Sequence, residues 1–149
     1  MERAGLRTYL AYLLSDAERR VTADLAAVLR AEGVGVEQWR ILQALSDGHG
    51  HSMTDLAEAV LMNHPTLTKL VDKMVSAALV YRRQDTVDRR RVAVYLSDRG
   101  TALLERLDRR VAEHQGALEA ALGGAETAQL MQNLEELVDR LRGRARVIG

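Results

Sequence analysis

MTDLAEAVLMNHPTLTKLVDKMVSAALVYRRQDTVDRRRVAVYL, from Met53 to Leu96, is the stretch on which the fold turns. Its start, roughly Ser52 to Val60, reads as a short helix with Leu56 and the small Ala57 side by side, so that a second helix can cross closely. That second helix is expected from Asn63-His64-Pro65, because Asn is a favoured N-cap and Pro is tolerated in a first turn. Leu67, Leu70, Val71 and Met74 then recur at helical spacing and form one buried stripe. The opposite face carries Pro65, Lys69, Asp72 and Ser76, flanked by Thr66, Thr68 and Lys73. It has hydroxyls and ammonium groups but no large apolar residue, which suits a groove lined by phosphates and base edges.

Two strands follow, Leu79 to Gln84 and Arg91 to Leu96, around a loop holding Asp88, Arg89 and Arg90. Val92, Val94 and Leu96 alternate with Ala93 and Tyr95, the period of a half-buried strand. Helix, turn, helix and basic hairpin together make the layout of a winged helix-turn-helix DNA reader. The charge agrees. The chain is formally neutral, yet residues 60–97 hold seven basic side chains against three acidic ones. A local surplus of this kind matters more to a polyanion than the total does.

The stretch resembles the multiple-antibiotic-resistance regulator (MarR) family of bacterial transcription factors. The carrying residues are Leu56-Ala57, the run Thr66 to Met74, Asp88-Arg89-Arg90 in the wing, and Val94-Tyr95-Leu96-Ser97 leading to Gly100. The family pattern is an Asp, any residue, an Arg, then a strand ending Leu-Thr with a Gly soon after. Here Ser97 stands for the Thr, and Leu61 stands where such motifs often place a turn glycine. The resemblance implies a homodimer on a pseudo-palindromic operator, repression of neighbouring genes, and release by a small aromatic anion.

Length and composition frame the rest. A chain of 149 residues is expected to form a single domain, with 34–97 as the DNA-binding region and 1–32 and 98–149 as dimerisation helices. Apolar content of 47% with 28% charged residues is globular, while 3% aromatics and no Phe point to a helix-rich Leu/Ala/Val core. The fold class expected is mainly α with a small β-hairpin wing. With no cysteine there is no disulfide framework, thiolate zinc site or thiol switch. No long apolar run and no signal-peptide pattern are found, so a soluble, cytoplasmic protein is expected.

The chain opens with a long amphipathic pattern from about Leu6 to Ala31, ended by Gly33 as a C′ residue. A shorter helix, about Val36 to Ser46, carries Trp39, and Asp47 to His51 reads as a flexible turn. His49 and His51 invite a metal, but without cysteines a site would need carboxylate partners, and none is assigned. After the wing, Ser97 or Asp98 caps a helix to Leu122, with a stripe from Leu103 through Leu107, Val111, His114 and Leu118. Gly123-Gly124 breaks it. A last helix from Ala125 has Leu130, Met131, Leu134, Leu137, Val138 and Leu141 as its stripe, before a basic tail, Arg142 to Arg146, expected to fray. Helices of this kind at both ends carry more apolar surface than a small winged domain can cover, and intertwining two subunits would cover it.

The residues assigned to DNA are Asn63, Pro65, Thr66, Thr68, Lys69, Lys73, Arg82, Asp88, Arg89, Arg90 and Arg91. Thr66, Thr68 and Lys69 face the major groove, Lys73 contacts backbone, and Arg90 enters the minor groove. Asp88 orients an arginine or braces the turn, and Arg89 and Arg91 meet phosphate. A solvated hairpin charge is the alternative for any one arginine, but five within ten residues favour DNA. Tyr9, Tyr12, Trp39 and Arg40 are the candidate ligand-lining residues, though the residue types alone favour a structural role for each over a ligand contact. No enzyme motif and no cofactor are expected. The rival reading is a winged helix used for protein–protein contact without specific DNA binding.

Overall fold

The structure, a computed structural model, describes residues 5–148, so positions 1–4 and 149 of the expected dimerisation segments lie outside it. It is mainly helical with one small antiparallel sheet, as the sequence implied. In order it comprises α1 (Leu10–Arg30), α2 (Val36–Ala44), β1 (His51–Ser52), α3 (Met53–Val60), α4 (His64–Ser76), β2 (Val80–Gln84), β3 (Val92–Leu96), α5 (Asp98–Leu122) and α6 (Gly124–Ile148). Two compact units divide inside α5, residues 1–111 and 112–149.

The expected opening helix from Leu6 is instead a single 3-10 turn, Leu6–Thr8, followed by extended Tyr9. The Thr8 hydroxyl donates to the Gly5 carbonyl at 2.7 Å, a local bond that competes with helix propagation. α1 ends as expected at Gly33, whose φ is +69°. The Val34 N–H reaches Leu29 O and the Gly33 N–H reaches Arg30 O, a Schellman motif.

The same motif closes α3 and α4, with Leu61 (φ 61°) and Ala78 (φ 60°) in the left-handed position. Leu61 therefore adopts the backbone conformation that a turn glycine would hold. At the other ends, three caps set where the reader's helices begin. Ser52 Oγ accepts from the Asp55 N–H (3.1 Å), Asn63 Oδ1 from Thr66 (3.0 Å) and Ser97 Oγ from Gly100 (3.0 Å). Each such cap is worth about 1 kcal/mol.

The sheet has the order β1-β3-β2. β1 corrects the flexible-turn reading of Asp47 to His51, because His51 pairs with Val94 and Ser52 with Ala93. β3 is therefore the central strand, and the expected alternation fails in it. Ala93 and Val94 are both buried while Val92 is half exposed. The outer side of Ala93 is covered by Gly50, where a Cβ would come within 2.8 Å of Ala93 Cβ and 2.4 Å of the Tyr95 ring.

The core of the first unit joins Leu29 of α1, Ile41 and Leu42 of α2, Leu56 of α3, Leu67, Val71 and Met74 of α4, and Leu107 of α5. All eight are fully buried. The start of α5 is locked to the end of α4. The single hydroxyl proton of Ser97 is shared between the Ala78 carbonyl (2.6 Å) and that of Leu79 (2.9 Å), and a Cβ at Gly100 would clash with the Leu79 oxygen.

In the second unit Gly123 (φ +105°) reverses the chain, and the buried Thr127 hydroxyl donates to its carbonyl at 2.7 Å. α6 starts at Gly124 rather than Ala125, and the basic tail continues it to Ile148 instead of fraying. Arg and Ala are strong helix formers, which accounts for the continuation. The expected burial of the α6 stripe is only partial. Leu134 and Leu137 are half-buried, while Leu130, Met131, Val138 and Leu141 stay exposed, as does Leu122 of α5.

Two substitutions test these joints by urea unfolding. Gly100→Ala should cost about 2 kcal/mol or more, because the added methyl meets a backbone carbonyl. Leu61→Gly should stabilise by about 0.5–1 kcal/mol, relieved left-handed strain outweighing the extra chain entropy of glycine. No change at Gly100, or a loss at Leu61, would contradict the two geometries.

Candidate nucleic-acid interface

Burial of Leu67, Val71 and Met74 sets the rotation of α4, so that Pro65, Thr66, Thr68, Lys69, Asp72 and Lys73 are exposed. Their polar groups are not all free. Asn63 Oδ1 is occupied by the cap, leaving its amide N–H groups for a partner. The Thr68 hydroxyl donates back to the His64 carbonyl at 2.9 Å and keeps its lone pairs for accepting. Thr66 and Lys69 have no side-chain hydrogen bond or ion pair among the described residues. Lys73, further back, borders an open cavity of about 400 Å³ shared with Glu32, Arg99 and Arg106.

The wing loop is held by its own carboxylates. Asp85 Oδ1 accepts from the Val87 N–H (2.9 Å) and Asp88 Oδ1 from the Arg90 N–H (3.1 Å), two successive Asx turns. The Asp85 N–H closes the loop onto Arg91 O at 2.9 Å. Asp88 also lies 3.4 Å from Arg90 Nε and 3.8 Å from Arg91 Nε. These bonds leave the guanidinium of Arg90 almost wholly in solvent, its side chain 92% exposed. Arg89 and Arg91 are exposed beside it. Below the loop, Tyr81 and Tyr95 face each other across the β2–β3 pair and stack with ring centroids 5.4 Å apart.

Arg82 does not join this cluster. Its Nη2 donates to Asp72 Oδ1 on α4, a pairing the sequence reading missed. Asp85 was also missed, although an Asp two residues before a loop N–H is an Asx-turn signal. Tyr9 and Tyr12 lie exposed at the start of α1, and Trp39 and Arg40 half-buried on α2, which packs against α1. No hydrogen bond or ion pair joins these four among the described residues. The Trp39 indole Nε1 is buried and has no hydrogen-bond partner among the described residues.

Of the two loop histidines, His51 is engaged by Asp47, with Nε2 2.8 Å from Oδ2. Burial pushes the Asp47 carboxyl upward, but the His49 N–H bond, the His51 ring and the charges of both imidazoles outweigh it and hold the pKa below the ordinary value. The stabilisation from this depressed carboxyl is present above pH ~4 and is lost as pH falls through the folded pKa. Among the described residues no group of three His, Cys, Asp or Glu side chains is placed to hold a metal.

Residues 32–91 match the family model described as MarR family. A solved MarR family transcriptional regulator from Silicibacter pomeroyi, SPO1453, is 34% identical, with a TM-score of 0.81 over 93% of this chain and 99% of that one. The chain belongs to the MarR family. Its members are transcriptional regulators, not enzymes. The transcriptional repressor CouR, solved on a 23-mer DNA duplex, is 25% identical with a TM-score of 0.84, covering 93% of this chain and 98% of that chain. NadR, solved with 4-hydroxyphenylacetate, is 27% identical with a TM-score of 0.78, covering 92% and 97%.

Bracing of the wing can be tested at one amide. Asp88→Ala removes the acceptor of the Arg90 N–H, a bond of about 1 kcal/mol, so exchange of that amide should speed up roughly fivefold. The global unfolding midpoint should not move. Unchanged exchange would show that Asp88 does not hold the turn.

Proposed function

We propose that the chain is a cytoplasmic transcriptional repressor that binds a pseudo-palindromic operator as a homodimer and is released by a small organic anion. The observation that carries the DNA reading is the pairing of a polar face on α4 with an internally hydrogen-bonded wing whose arginines are exposed to solvent. In this reading Thr66, Thr68 and Lys69 meet base edges, with Asn63 and Pro65 lying against the backbone at the helix start. Lys73, Arg89 and Arg91 neutralise phosphates, and Arg90 enters the minor groove. Asp88 acts through the arginine it braces. CouR, a relative solved on duplex DNA, supports the same use of the fold.

The dimer is supported by apolar side chains left in solvent at both ends of the chain. They include Leu6, Leu10 and Leu13 near the N-terminus and Leu130, Met131 and Val138 on α6. Large apolar side chains left in solvent at helical spacing suit burial against a second copy of the chain. A two-fold axis would set two α4 helices about 34–36 Å apart, one turn of the duplex. Among the described residues no helix is long and apolar enough to cross a membrane.

The ligand reading draws on NadR and on the unpartnered Trp39 Nε1, which could serve a ligand acceptor beside Arg40. The start of α1 lies roughly 20 Å along the helix from the Leu25–Leu29 stretch that packs in the core with Trp39, so Tyr9 and Tyr12 would line such a site from a second copy of the chain. As the only tryptophan, Trp39 reports on it directly. Addition of 4-hydroxyphenylacetate or a similar aryl carboxylate should quench its fluorescence and weaken DNA binding together.

Fluorescence anisotropy on duplexes from the region upstream of its own gene, across a salt series, tests the DNA reading. Wild type should prefer one duplex over scrambled DNA with a steep salt dependence. Arg90→Ala should bind roughly tenfold more weakly, in line with one lost contact of 1–3 kcal/mol. Weak binding that is equal for all duplexes and insensitive to the substitution would sink this reading in favour of a protein-binding winged helix.

A further inference from the structure

Arg82 belongs to the arginine-rich stretch by sequence, yet its geometry sets it apart from the wing tip. It sits on β2 opposite Val94, a fully buried residue of the central strand, so its backbone is fixed to the core. Its side chain is 33% exposed, against 92% for Arg90 and 70% for Arg91, and folds back onto α4 to pair with Asp72, whose own side chain stays 60% exposed, so the pairing neutralises the carboxylate without burying it. Asp72 is the one acidic residue of α4 and lies three positions beyond Lys69 on the same outward face. A bare carboxylate there would stand among the groups offered to phosphate and repel it.

We propose that Arg82 is a positioning residue and not a phosphate contact: it masks Asp72 on the groove face of α4 and ties the base of the wing to that helix. The tie closes a short loop. Only residues 77–79 connect α4 to β2, with Ala78 held left-handed between them. A planar guanidinium suits this bridge, whereas an ammonium would give a point contact of less defined direction. With the base of β2 fixed to α4, the span from Lys69 to Arg90 is set before any DNA arrives. The masking role rests on the DNA reading proposed above, and the ion pair does not.

Two measurements test it. In the free protein, ¹⁵N relaxation should find the Arg82 Nε ordered in wild type and mobile in Asp72→Ala. An Arg82 side chain already mobile in wild type would overturn the tie whatever happens on DNA. On an operator duplex, Arg82→Ala should weaken binding about tenfold when Asp72 is present and by less than about threefold in the Asp72→Ala background, the non-additivity expected of a coupled pair. The double variant should keep the wild-type salt slope. A direct phosphate contact would instead cost the same in both backgrounds and lower the slope by about 0.9, which would overturn the proposal. So would an Arg82→Ala protein that binds like wild type. If Arg82 is ordered but wild type prefers no duplex, the DNA reading fails and the masking role with it, while the tie stands.

Discussion

The rotation of α4 about its own axis is the constraint on which the rest of this molecule depends. Leu67, Val71 and Met74 must leave water, and burying each is worth about 2 kcal/mol by area alone. That burial permits only one rotation of the helix, and it turns Thr66, Thr68, Lys69 and Asp72 outward together. A slip of one residue would cost several core contacts at once, so the polar face is fixed by the apolar one. The Asn63 cap and the Schellman turn at Ala78 then fix where the helix begins and ends.

A second set of bonds carries that placement to the wing. The Ser97 hydroxyl joins the carbonyls closing α4 to the start of α5, and Gly100 lets the two backbones touch. The tyrosine stack lies across the two strands at the base of the hairpin, and the Arg82–Asp72 pair links that base to α4. Asp85 and Asp88 stiffen its tip. The wing arginines are thus presented by a loop with its own hydrogen bonds, an arrangement that would lower the conformational entropy lost if, as proposed, they meet DNA. Three carboxylates inside this basic patch, Asp72, Asp85 and Asp88, are each engaged by a neighbouring N–H or guanidinium, and on the proposed DNA reading that is how such a surface can carry them.

Much of this was legible in the sequence because it is written in local chemistry. The stripe and polar face of α4, the Asn63 cap, the Gly33 stop and the basic hairpin all follow from spacing and residue type. What escaped depends on partners distant in the chain. β1 is two residues long and exists only because β3 offers an edge, so it has no period of its own. Burial of Ala93 comes from Gly50, which no alternation pattern could register. The break at Tyr9 follows a single hydroxyl bond from Thr8. Arg82 was grouped with the other arginines because charge runs are read by proximity, while its partner lies on another element. The exposed stripe of α6 shows the converse: the sequence marks it as a burying face, and a single chain leaves it half uncovered.

Hydrogen–deuterium exchange, comparing the free protein with its complex on a duplex from its own upstream region, tests the central claim most directly. The account predicts new protection over the start of α4, residues 63–73, and over the wing loop, residues 85–91, with little change on the exposed faces of α2 and α6. Protection confined to the terminal helices, with α4 and the wing exchanging as in the free protein, would contradict it.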